Sequence, residues 1–191
     1  MMKTILSLMI GLFCVLGVQS LVGAESRSPG SITFVAKNMV ATANGVFRDW
    51  KIVEAKVDPA KPASSRIVLE IDLRSIDTGN SKRDDHLRNP DFFEVEKYPT
   101  ASVVIDNVRY EGSDTFDADV TLDLHGKQKT LPVRFRIEDR EERRIVAEFV
   151  INRMDFEIGK SHMGINPLSI EEEVPMKVTA TIPQPVVSAV P

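Results

Sequence analysis

The stretch SIDTGNSKRDDHLRNPDFFEVEKYPT, Ser75 to Thr100, decides how this chain is read, because it is the long interruption in a sequence that otherwise alternates with the period of β-strands. Ser81 followed by Asp84 is spaced like a capping box, with a carboxylate near the unpaired N–H groups that open a helix. Asn89-Pro90 stops that helix and can begin another, since proline suits a first helical position and asparagine caps it. Phe92-Phe93 places two large rings on a short segment, and Tyr98-Pro99 returns the chain to an extended path. A charged helical turn carrying an aromatic plug between two strands predicts a lid over one end of a β-structure.

Upstream of the lid, Ile32, Phe34 and Ala36 alternate with Thr33 and Lys37. A bend at Asn44-Gly45 leads to Val46, Phe47 and Trp50, then Val53, Ala55 and Val57 alternate until Pro59 and Pro62 end the strand. Ile67, Leu69, Ile71 and Leu73 form the next apolar face, opposite Arg66, Glu70, Asp72 and Arg74. Downstream, Ala101, Val103 and Ile105 continue the pattern, with Val104 and Val108 leaving the parity open. Gly112-Ser113-Asp114 is a turn, after which Phe116, Ala118, Val120, Leu122 and Leu124 alternate with Asp117, Asp119, Thr121 and Asp123. His125-Gly126-Lys127 is a tight hairpin leading to Leu131, Val133, Phe135 and Ile137, and the charged run Asp139 to Arg144 reads as a solvated turn. Ile145, Ala147, Phe149 and Ile151 precede a loop from Glu157 to Ser169, and Val174, Met176, Val178, Ala180 and Ile182 close the series.

About eight strands, each with one apolar and one charged face, make an all-β domain that must cover its own apolar side as a sandwich or a closed barrel. Short sequential connections favour an extended eight-stranded antiparallel barrel, with the helical lid inserted between strands 3 and 4. Ala36, Ala55, Ala101, Ala118, Ala147 and Ala180 fall on apolar faces of different strands. They either leave volume along the axis for a slender ligand or offset large neighbours in a packed core.

The first 24 residues read as a secretory leader: Lys3 is the positive n-region, Ile5 to Val18 the apolar run, and Val22-Gly23-Ala24 the cleavage site. The expected division is leader 1–24, N-terminal tail 25–30, barrel 31–183 and loose C-terminal tail 184–191, in a periplasmic or secreted protein. The apolar run is short for a membrane span, so no stable membrane insertion is expected. Cys14, the single cysteine, lies in the leader, so the mature chain has no disulfide and no thiolate metal site. Removing Lys3 leaves 23 basic against 28 acidic side chains, a mild acidity that argues against nucleic acid as a partner.

The Ser75–Thr100 segment, Gly45-x-Phe47, LDLHGKQKTLPV from Leu122 to Val133, and INRMDFEIG from Ile151 to Gly159 together resemble the YceI-like family of secreted bacterial lipid-binding proteins. The resemblance covers nearly the whole mature chain in the family's order. The loop KSHMGINPLSIEEEV after Gly159, acidic toward its end, departs from it. The resemblance implies a lipocalin-like barrel holding a polyisoprenoid or similar amphiphilic lipid in an apolar tunnel, as a binder or carrier and not an enzyme, with no cofactor.

A long apolar tail needs a dry lining, for which Phe34, Leu69, Ile71, Val103, Leu122, Phe135, Phe149 and Val178 are the candidates. Phe92 and Phe93 are expected at the mouth. Arg83, His86 and Arg153 are candidates to meet the head group, arginine because its planar fork suits phosphate. Local pairing of Arg83 with Asp84 and Asp85 is the competing reading. A hydrolase acting at the barrel mouth, using His86 with Asp84 and Asp85, and a packed structural or stress-related interaction protein are the alternatives. There is no G-x-S-x-G elbow, and His86, His125 and His162 lack metal-ligand spacing. A homodimer is left open.

Overall fold

A computed structural model describes residues 28–159 and 170–183. Ten strand segments follow in chain order: β1 (Gly30–Lys37), β2 (Thr42–Phe47), β3 (Trp50–Lys56), β4 (Arg66–Asp72), β5 (Ile76–Asp77), β6 (Thr100–Gly112), β7 (Thr115–Leu124), β8 (Lys127–Asp139), β9 (Arg144–Asn152) and β10 (Glu173–Thr181). They form one antiparallel sheet in the order β3-β4-β6-β7-β8-β9-β10-β1-β2-β5.

The two ends of that sheet are joined through the chain itself. β2 runs into β3 across Arg48-Asp49, and β4 runs into β5 across a 3-10 turn, Leu73–Ser75. Phe47 pairs with Ile76 on one side of the break, and Trp50 with Ile71 on the other. Between them the Arg48 N–H donates to the Ser75 carbonyl at 3.2 Å and the Asp72 N–H to the Asp49 carbonyl at 2.9 Å. The segments therefore act as eight long staves of a curled antiparallel barrel, with the lid between the third and fourth. Beyond the break β3 is an end strand of the sheet, so the curl is tight at the lid end and open at the other.

Local sequence explains the departures from plain alternation. The β6–β7 register shifts between Asp106 and Arg109, and Asn107 takes φ 48° there. This extra residue turns Val108 back to the inside, where it is buried. At the β7–β8 turn, His125 (φ 54°) and Gly126 (φ 72°) are both left-handed, as a two-residue hairpin of this twist requires.

The lid begins with α1 (Ser81–Arg88). Its cap is Asn80 and not Ser81: the Asn80 side chain accepts the Arg83 N–H at 3.1 Å from an extended backbone, while Ser81 is already helical. Asp84 is buried and accepts the backbone N–H of Thr78 at 2.9 Å and its hydroxyl at 2.5 Å, tying the helix to the strand exit. After Asn89 the chain makes tight turns without a second helix: Phe92 and Glu94 both donate to the Asn89 carbonyl at 3.0 Å. Among the described residues the largest fully buried side chains are Leu73 and Phe156, in the 3-10 turns toward the lid end, and Ile76 in β5, so the solid core lies at that end.

The expected leader, part of the expected N-terminal tail, the expected C-terminal tail and the stretch from Lys160 to Ser169 with its His162 lie outside the described residues. Among the described residues no helix is long and apolar enough to cross a membrane.

Candidate ligand-binding site

Alternation places one residue in two inside the barrel, and above the solid lid-end core these side chains do not meet. They leave a cavity of about 640 Å³, within the roughly 300–1,000 Å³ of small-molecule sites. Leu69 and Ile71 from β4, Val103 from β6, Leu122 from β7, Phe135 from β8, Phe149 from β9 and Val178 from β10 all stand on its wall. Phe34, the eighth candidate, does not: its ring packs against Phe47 at 5.6 Å and over Gly45. Ala101 and Ala147 line the space, whereas Ala118, fully buried, and Ala180 lie off its wall. The interior is thus open along part of the axis and packed along the rest.

Phe116 and Leu124 both line the cavity from β7. Eight residue steps separate them, roughly 26 Å along the strand. Among the described residues the wall is apolar except for four, Asp58, Ser65, Arg140 and Arg143. All four sit on the β3–β4 and β8–β9 connections, at the end of the barrel away from α1. Arg140 donates to both oxygens of Asp114 from Nε and Nη2, and Arg143 donates to the Pro183 carbonyl. The turn expected to be simply solvated therefore puts two arginines on the rim. The signal was the inward parity of Ile137 and Ile145 on either side of it, which carries the turn over the opening.

The other end is plugged. Phe93 meets Phe47 edge-on at 5.9 Å, and Phe92 packs so close to Gly159 that a Cβ there would lie 2.7 Å from its ring. Val95 and Phe156 are buried beside them in the same core.

None of the five lid candidates lines the cavity. Arg83 donates from Nε to the Thr78 hydroxyl at 2.7 Å and from Nη2 to the Thr78 carbonyl at 2.8 Å, so it holds its own loop and pairs with neither neighbouring aspartate. His86 is exposed, edge-on to Phe92 at 5.0 Å. Arg153 is buried and donates to four carbonyls: Glu171 at 3.0 Å, Ile170 at 2.7 Å, Ile158 at 2.6 Å and Gly159 at 2.6 Å. Burial lowers its pKa from the usual arginine value, with the Glu172 charge opposing.

A further polar contact ties lid to barrel. His125 Nδ1 lies 2.9 Å from the Phe156 carbonyl, Tyr98 stands edge-on to the ring at 4.8 Å, and Glu94 Oε2 is 3.6 Å from Nε2. Among the described residues no cluster of His, Cys, Asp or Glu is placed to hold a metal.

The match to the family model of the YceI-like domain runs over residues 26–182. Curated relatives include a UPF0312 protein of Azotobacter vinelandii, 36% identical over 92 residues, which make up 48% of this chain and 47% of the relative. One of Vibrio cholerae is 35% identical over 80 residues, 42% of each chain. The chain thus spans about half the length of the curated relatives it matches. Among solved structures, Burkholderia cenocepacia BcnA superposes with a TM-score of 0.70 at 24% identity, covering 78% of this chain and 94% of that one. A polyisoprenoid binding domain from Saccharophagus degradans, implicated in plant cell wall breakdown, superposes at 0.60 with 18% identity, over 81% and 93%. At these identities the likeness is one of fold. The chain belongs to the YceI-like domain family.

Proposed function

We propose that this YceI-like domain binds, without catalysis, an amphiphilic lipid of the polyisoprenoid type, its tail filling the barrel. The observation that carries the reading is the 640 Å³ cavity with an almost wholly apolar wall. A tail without hydrogen-bonding groups suits such a wall, and each methylene taken from water contributes about 0.8 kcal/mol. The polyisoprenoid-binding domain of like fold supports the ligand class.

Leu69, Ile71, Val103, Leu122, Phe135, Phe149 and Val178 contact the tail in this reading. Phe92 and Phe93 close the blind end, and Arg83 and Arg153 hold the backbone that positions them. The domain, residues 31–183, acts in the periplasm or outside the cell after loss of the leader, and carries or stores its lipid.

Native mass spectrometry of the protein purified from its own compartment, followed by solvent extraction, tests the reading. A co-purifying lipid released by the solvent is the expected result. Protein that carries no lipid, and takes up neither prenyl alcohols nor an apolar fluorescent probe, overturns it.

A further inference from the structure

We infer that the lipid enters this barrel in one direction, with an anionic head, phosphate or carboxylate, at Arg143 in the β8–β9 turn and the tail's far end beside Leu73 and Leu124. This rests on the lipid-binding reading and adds the head-group chemistry and the direction. Every polar residue of the cavity wall is at one end, so a head buried at the lid end would leave its charge among Leu73, Leu124 and Phe47 without a partner.

Of the four rim residues, three are committed elsewhere. Asp58 accepts the Ala60 and Lys61 N–H groups at 2.9 and 3.0 Å and faces Ser64 at 3.4 Å, so its carboxylate is folded onto its own loop. The Ser65 hydroxyl accepts the Asp58 N–H at 3.0 Å. Arg140 is gripped by the Asp114 carboxylate. Arg143 has no carboxylate partner among the described residues; one guanidinium branch reaches the Pro183 carbonyl, and the remaining donors suit an oxyanion.

Arg143 sits at φ 56°, a left-handed conformation that glycine adopts more readily. The same left-handed φ occurs at Ser113, Asp114, His125 and Glu157, so it marks a turn position, and glycine can replace Arg143 there without backbone strain. The wall also runs apolar to the rim: Phe116 stacks on Phe135 at 5.3 Å, and Tyr110, 60% exposed, tilts on Phe116 at 5.1 Å.

Three probes with one tail separate the possibilities: geranylgeranyl phosphate, geranylgeranoic acid and geranylgeraniol, each titrated into wild type and Arg143→Gly. Glycine suits the left-handed position, so the variant should fold at least as well, and a thermal melt checks this. Losing charge-assisted hydrogen bonds should weaken at least one anionic probe by about 10- to 100-fold and the alcohol by less than about twofold. The larger loss, for phosphate or for carboxylate, identifies the head. Equal losses for all three probes, or none for either anion, overturn the inference while leaving lipid binding intact. Failure of wild type to bind any probe overturns the lipid reading itself. In a second arm, geranylgeranyl phosphate carrying a diazirine at the tail end should label peptides containing Leu73 or Leu124. Labelling confined to residues 137–145 overturns the direction.

Discussion

The ring of Phe34 lies across the backbone of Gly45, so that a Cβ added at Gly45 would sit 2.1 Å from the ring carbon Cζ. The two residues face each other across the β1–β2 pair, and the ring goes on to meet Phe47. Phe34 is therefore spent on closing the barrel wall and not on the cavity, the pairing of glycine with aromatic that lets a strand bend sharply. Gly45→Ala should push the ring out of place and cost about 1–3 kcal/mol, read as a lowered midpoint in urea unfolding. An unchanged midpoint would mean the ring can move aside freely.

Two alanines should respond differently to the same enlargement. Ala147 lines the cavity, whereas Ala118 is fully buried off its wall. Ala147→Phe should fill empty space, leave the melting temperature nearly unchanged and abolish uptake of an apolar fluorescent probe. Ala118→Phe should overpack the wall and destabilise by about 1–3 kcal/mol or more. If both variants lose stability alike, the interior is packed and the cavity is not available to a ligand.

Arg153 fastens the segment after β9 to the stretch that leads into β10 through carbonyls on both sides. Arg153→Met should leave those carbonyls unpaired and cost about 3–5 kcal/mol, with only partial recovery in Arg153→Lys, whose single ammonium cannot fork. Urea unfolding gives the cost. Full recovery with lysine would show that charge alone matters there.

Acid should act on the outer face of the barrel. The Arg134 guanidinium bonds both oxygens of Asp117 across β7–β8, at 2.7 and 2.9 Å, and this hydrogen bonding holds the Asp117 pKa below its ordinary 3.8 against partial desolvation. A carboxylate with a depressed folded value adds stability above its unfolded pKa and loses it as pH falls through the folded value. The melting-temperature gap between wild type and Asp117→Asn should thus be constant from about pH 5 upward and shrink below it, and stay small because water screens the pair. A gap that grew on acidification would reverse the sign assigned to this pair.

How much was legible in the sequence can be argued from a few residues. The alternation of Phe116, Val120 and Leu122 with Asp117, Asp119 and Thr121 is a local property of a pleated strand, so strand identity and inward faces followed directly from it, and seven of the eight lining candidates stand on the cavity wall. Segment order and short turns then favoured an antiparallel order with a lid at one end, and the family resemblance favoured the barrel over the sandwich. The helix cap was misplaced by one residue because a cap depends on where the extended backbone ends, and Asn80 and Ser81 both carry capping side chains.

Which end of the barrel is open was beyond local reading. It depends on β3 ending the sheet, on Phe93 reaching Phe47 from 46 residues away, and on Arg153 meeting Ile170 and Glu171 across a loop. An arginine in a sequence announces a charge but not its partners, so Arg83 and Arg153 read as head-group candidates while the turn that holds Arg143 read as merely solvated. The sequence by itself determined strands, faces and a lid, because those follow from short-range periodicity. Only the closure of the sheet decided which side chains were used up by backbone carbonyls and which were left facing an empty, apolar interior.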